Sequence, residues 1–100
     1  MNSKEKWLKT LEKEGKLQNP KEDHSRGLRA LQNSTRREIL RFIGKQVKTI
    51  EEIVTHFNSD ESTISFHLSM LEQALFIEKV NDRWGLTPRG IGYLENVELK

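Results

Sequence analysis

Apolar residues recur along this chain at helical spacing, in blocks separated by short polar breaks. In the first block, Lys4 to Glu14, Trp7, Leu8 and Leu11 share one side. Ser3 stands where an N-cap is needed and Gly15 where a left-handed stop is needed. The polar stretch from Lys16 to Asp23 contains Pro20 and reads as a linker. Ser25 to Gln32 reads as a short helix with Leu28 and Leu31 inward, although Gly27 weakens it by roughly 1 kcal/mol relative to Ala. Asn33-Ser34-Thr35 is a cap cluster, and Thr35 with Glu38 has the capping-box spacing. The helix that follows carries Ile39, Phe42 and Ile43 on one stripe with Leu40 beside it, and Gly44 ends it. Gln46-Val47-Lys48 is long enough only for a connector or a small edge strand.

Thr49 and Glu52 repeat the capping-box spacing. Ile50, Ile53, Val54 and Phe57 then fall at i, i+3, i+4 and i+7, the stripe of an amphipathic helix. Asn58-Ser59 breaks it, and Asp60 can cap a further helix from Glu61 to Ala74 whose inward stripe is Ile64, Leu68 and Leu71. Two short helices about three polar residues apart predict a helix-turn-helix. Two β-prone runs, Phe76 to Val80 and Arg83 to Thr87, flank Asn81-Asp82 and predict a hairpin. Thr87-Pro88 is an N-cap followed by proline at the first helical position. A last helix from Pro88 to about Glu98 aligns Ile91, Leu94 and Val97 or Glu98. The order predicts a mainly α (α+β) fold, a winged helix-turn-helix with a small hairpin wing and flanking terminal helices. Residues 1–24 read as an N-terminal helix and linker for dimerisation, and residues 25–100 as the DNA-binding domain with its C-terminal helix.

Three segments also resemble one family. Ala30-Leu31-Gln32-Asn33-Ser34-Thr35-Arg36-Arg37-Glu38-Ile39-Leu40-Arg41 is similar to the opening motif of the ArsR-like winged-helix repressors. Ser62-Thr63-Ile64-Ser65-Phe66-His67-Leu68-Ser69-Met70-Leu71 is similar to that family's recognition helix. Ile77 to Val80 and Leu86 to Gly90 are similar to its wing and the start of the following helix. The resemblance covers residues 28–98 or so. It implies a dimeric DNA-binding regulator of transcription that pairs through its first and last helices. The chain departs from the family at Phe66, where Arg is usual, and at Leu75, where Gly is common.

The hundred residues carry no cysteine, which excludes a disulfide framework, a thiolate metal site and a cysteine nucleophile. The family's metal-sensing cysteine motif is therefore missing. His56 and His67 have ten residues between them, but position 54 is Val and further ligands are lacking, so no metal or other cofactor is expected. The glycines are isolated rather than gathered into a phosphate loop, and Ser65 and His67 point some 200° apart on their helix. Neither supports an enzyme. No apolar run approaches the roughly 20 residues needed to span a bilayer, and Met1 to Trp7 lacks the apolar core of a signal peptide. No membrane association is expected, and the expected compartment is the cytoplasm.

The net charge of +2 hides a division. Residues 1–48 carry thirteen cations against six anions, and residues 49–100 carry four against nine. Between Asp60 and Gln73 there is no Lys or Arg, so that helix cannot make the bidentate arginine contact to guanine. Its outward face is Ser62, Phe66, Ser69 and Gln73, flanked by Thr63, Ser65 and Met70; Ser62, Thr63, Ser65, Phe66, Ser69 and Gln73 are expected to read bases through hydroxyls and through Phe66 against a thymine methyl. The phosphate grip falls to Arg36, Arg37, Arg41, Lys45, Lys48 and the wing residues Lys79 and Arg83. Trp84 reads as core. Trp7, Leu8, Leu11, Ile91 and Leu94 are the candidate dimer contacts. The leading expectation is a sequence-specific regulator of double-stranded DNA, a homodimeric repressor with an effector the sequence does not name. The alternative is a protein-interaction module using Phe66 and Met70.

Overall fold

Caps and stops written into the chain delimit most of the elements. A computed structural model describes residues 3–15 and 19–98, with side chains through Asn96 at the C-terminal end. The elements are α1 (Ser3–Lys13), α2 (Pro20–Leu31), α3 (Ser34–Ile43), β1 (Val47–Lys48), α4 (Ile50–Phe57), α5 (Glu61–Gln73), β2 (Ile77–Val80), β3 (Arg83–Leu86) and α6 (Pro88–Glu98). The strands form one antiparallel sheet in the order β1-β3-β2. Val47 lies opposite Gly85, so the short run after Gly44 is an edge strand. Asn81 and Asp82 both take positive φ, as a tight two-residue hairpin turn demands.

Ile39, Leu40, Ile43, Ile53, Ile64, Leu68, Leu71 and Ile77 are almost wholly buried and form the centre of the core. They come from α3, α4, α5 and β2, and the helical stripes read from spacing converge there. Thr49 closes a full capping box with Glu52, and Asn58 ends α4 in the left-handed conformation. Thr87 is the hinge between wing and last helix: its hydroxyl donates to Leu75 O (2.6 Å) and accepts from Gly90 N (3.1 Å).

Several expectations change. Pro20 opens α2 rather than lying in a linker, because the Asn19 side chain accepts from Glu22 N and proline fits the first helical position. Residues 16–18 of the expected linker lie outside the described residues, and a boundary at 24/25 would cut through α2. With α2 in this register, Asp23, Gly27 and Ala30 face inward, Leu31 is half-buried, and Leu28 is 52% exposed instead of inward. Asn33, not Thr35, caps α3 by accepting from Arg36 N, and Glu38 pairs with Arg41 instead of closing a box. Leu75 takes φ +66° where the family has Gly, so the chain leaves α5 in a left-handed residue and β2 begins at Ile77. The side chains of Val97 and Glu98, offered as part of the last stripe, lie outside the described residues.

Candidate nucleic-acid interface

Helix α5 is held by its buried stripe, which leaves the opposite face outward. Ser62, Thr63, Ser65, Phe66, Ser69 and Gln73 are all exposed, as their spacing predicts. Phe66 is 58% exposed, the most of any large apolar side chain among the described residues. Ser62 Oγ donates to Asp60 Oδ1 (3.0 Å), and Gln73 Nε2 donates to Ser69 Oγ (3.2 Å). Asp60 Oδ1 also accepts from Thr63 N (2.7 Å). These donors hold the Asp60 carboxyl below the usual carboxylate range. Asp60 therefore caps the α5 N-terminus, and its negative charge there disfavours a phosphate.

The expected phosphate contacts fall into different groups. Arg36 is 7% exposed and is not a surface cation. Its Nε donates to Ala30 O (2.8 Å), its Nη2 to Arg29 O (3.0 Å), and its Nη1 meets His67 Nδ1 (3.2 Å). Arg37 is half-buried and donates to Leu31 O (2.6 Å). Arginines in the first turn of a helix oppose its dipole. Here the carbonyl end of α2, which is the favourable place for a cation, takes both of them. Arg36 is withdrawn as a DNA contact on this ground, because its guanidinium is already spent on α2 and α5. Arg41 is exposed and ion-paired with Glu38. Lys48 Nζ lies over the Phe42 ring (4.8 Å), which also stacks on His56 at 3.9 Å between centroids. Lys79 Nζ lies over Trp84 (5.6 Å), a half-buried ring, while Lys45 and Arg83 are exposed.

Sequence reasoning missed His67, which sits inside α5 at 8% exposure. Arginine can only donate, so the Nδ1 facing Arg36 carries no proton and the imidazole is neutral. Burial and the Arg36 charge hold its pKa below the ordinary value. The unfolded chain therefore takes up this proton more readily than the folded one. The resulting stability is complete above the ordinary imidazole pKa of about 6.5 and is lost as pH falls below it. Urea midpoints measured from pH 7 to pH 5 are expected to fall less steeply in His67→Gln, whose amide oxygen can still accept from Arg36. Equal slopes would assign the pH dependence to other groups.

Arg89 was also missed. Its Nη1 and Nη2 grip the two Asp23 oxygens (2.7 and 2.9 Å), and Nη1 also donates to Ala74 O (3.0 Å) at the end of α5. Its guanidinium carbon lies 6.0 Å from the centre of the Trp7 ring. One side chain thus joins α1, α2, α5 and α6. Of the expected dimer contacts, Leu11 and Leu94 are buried within the chain itself, whereas Trp7, Leu8 and Ile91 remain partly open. Leu11 and Leu94 are corrected to core residues: the packing of α1 and α6 on the domain consumes them.

His56 and His67 are each engaged elsewhere, and no group of three or more metal-ligating side chains comes together among the described residues. No helix of the described residues is long and apolar enough to cross a membrane.

Residues 33–79, from the α3 cap into the wing, match the model of the family described as bacterial regulatory protein, arsR family. The fold is a winged helix-turn-helix, and this segment of it is ArsR-like. The ArsR-like fold recurs in solved structures of low sequence identity. Reduced HlyU from Vibrio cholerae is 18% identical, with a TM-score of 0.66 over 79% of this chain and 88% of that one. A second HlyU structure from the same organism gives 17% and 0.67, over 83% and 96%. The homodimeric winged helix-turn-helix DNA-binding domain of Mb0332 from Mycobacterium bovis, a possible ArsR-family transcriptional regulator, gives 20% and 0.66, over 83% and 84%. No curated protein matches the chain in sequence.

Proposed function

We propose that this protein is a homodimeric repressor that reads a specific site in double-stranded DNA. The observation that carries the reading is the outward face of α5, exposed from Ser62 to Gln73 on a helix whose other side is locked into the core. Such a helix enters the major groove, and the flanking wing reaches the adjacent backbone. Base contacts come from Ser62, Thr63, Ser65, Phe66, Ser69 and Gln73. Phosphate contacts come from Lys45, Lys48, Lys79 and Arg83, with Arg41 at the margin, while Arg37 is held by Leu31 O. Repression follows from occupancy of the site.

The dimer reading rests on the homodimeric Mb0332 neighbour and on a groove along α1, α2 and α6. Trp7, Leu8, Leu28 and Tyr93 line it, whereas Ile91 lines a separate cavity with Arg41 and Leu94. A two-fold dimer places two α5 helices about one DNA turn, roughly 34 Å, apart. Helix α1 contributes to that interface, and the elements from α2 onward carry the DNA-binding unit.

Fluorescence titration of a labelled duplex across a salt series tests the reading. Binding is expected to weaken linearly in log–log form as salt rises. Arg83→Ala is expected to weaken binding to every duplex alike and to lower the salt slope by about one. An unchanged slope would remove Arg83 from the phosphate grip. The exposed Phe66 supports a second reading, a protein-docking face with Met70. Failure of any duplex to bind at low salt would favour that reading.

A further inference from the structure

We propose that Phe66 reads the C5-methyl group of a pyrimidine, so that the operator is recognised at that position by methylation of the base rather than by its identity. The inference rests on the DNA-binding reading above and names the chemistry that α5 seeks. The helix sequence Glu61 to Gln73 contains no Lys or Arg, so it offers guanine no charged fork. Its one large exposed apolar group is the Phe66 ring. On the floor of the major groove, the apolar group available to such a ring is the methyl at C5 of a pyrimidine.

The neighbouring hydroxyls complete the argument. Ser62 lies one turn before Phe66 and Ser69 lies one turn after it, both on the same face. The Ser62 hydrogen is committed to Asp60, so its oxygen offers lone pairs outward. Ser69 Oγ already accepts from Gln73, so its own hydrogen is free to donate. The ring is therefore flanked by an acceptor on one side and a donor on the other. Thymine presents an acceptor at C4 and 5-methylcytosine a donor, in the same place beside the methyl, and a serine hydroxyl can donate to the one or accept from the other. Only the methyl distinguishes the two bases from uracil and cytosine.

The test uses the full chain and a duplex selected from a pool with a random core. The position facing Phe66 is the one whose preference disappears in Phe66→Ala. At that position thymine is compared with uracil opposite adenine, and 5-methylcytosine with cytosine opposite guanine. Loss of the methyl is expected to weaken binding about fourfold in each pair, the effect of exposing one buried carbon group. In Phe66→Ala both ratios are expected to fall to about one, with thermal unfolding unchanged because the ring is exposed. A ratio near one in either pair for the natural protein, or ratios that persist in Phe66→Ala, would overturn the proposal. A pool from which nothing is enriched would instead overturn the DNA-binding reading beneath it.

Discussion

Arg36→Ala is expected to destabilise the folded domain by about 3 kcal/mol, the scale of breaking a buried polar network. The substitution strands Ala30 O and His67 Nδ1 and leaves Arg29 O with Gln32 N alone, three acceptors that one guanidinium reaches from separate directions. At this chain length the loss corresponds to a fall in melting temperature of more than about 10 °C. Arg36→Lys is expected to recover less than half of it, because an ammonium is a compact point charge and cannot span all three. Urea unfolding of the three proteins at pH 7 measures the effect. A shift below about 1 kcal/mol for Arg36→Ala would mean that the residue contributes no more than a surface arginine.

The glycines of α6 give the second large effect, with a built-in control. A Cβ on Gly90 would stand 2.3 Å from Phe76 O and 3.3 Å from both Phe76 C and Leu86 Cβ. Phe76 O cannot retreat freely, since it accepts from Thr87 N (3.0 Å) where wing and last helix join. Gly90→Ala is therefore expected to cost about 3 kcal/mol, the upper range of overpacking. A Cβ on Gly92, two residues along the same helix, meets nothing within 4 Å. Gly92→Ala is expected to stabilise by up to about 1 kcal/mol through helix propensity. Denaturant midpoints of opposite sign are the expected result, and shifts in one direction for both would contradict the packing at the α6 entry.

What the sequence made legible was local. The Thr49–Glu52 box, the Asp60 cap and the Ile64, Leu68, Leu71 stripe each need only a few neighbouring residues to be recognised. The reading of the helix-turn-helix and the outward face of α5 followed from them. The opening of α2 was obscured because its inward face is built from Asp23, Gly27 and Ala30, which carry little apolar signal. Asn19, Pro20 and the early Glu22 and Asp23 were nevertheless an adequate start signal.

The errors among the site residues came from treating charge as exposure. Arg36 was counted with the surface cations, yet its counter-charge is the carbonyl end of a helix that precedes it in the chain. An arginine in the first turn of α3, where the dipole is unfavourable, was the sign that it serves another element. Arg89 and Asp23 stand 66 residues apart, and no local pattern joins them. Leu75 was recognised as anomalous, and the structure resolves it by accepting a positive φ.

The charge division along the chain has also changed meaning. Arg36 and Arg37 belong to the internal joint between α2 and α3. The cations left for DNA are Lys45 and Lys48 beside the sheet, Lys79 and Arg83 on the wing, and Arg41 at the margin. Glu52 lies close enough to Lys48 and Arg83 to feel both charges. The proposed reading of DNA therefore rests less on electrostatic grip and more on the outward face of α5.

Selection of duplexes from a random pool by the full chain at low salt tests the central claim most directly. The expected result is a two-fold symmetric site with half-sites about one helical turn apart, which Phe66→Ala degrades and Arg83→Ala only weakens. A pool that yields no common site would contradict the account.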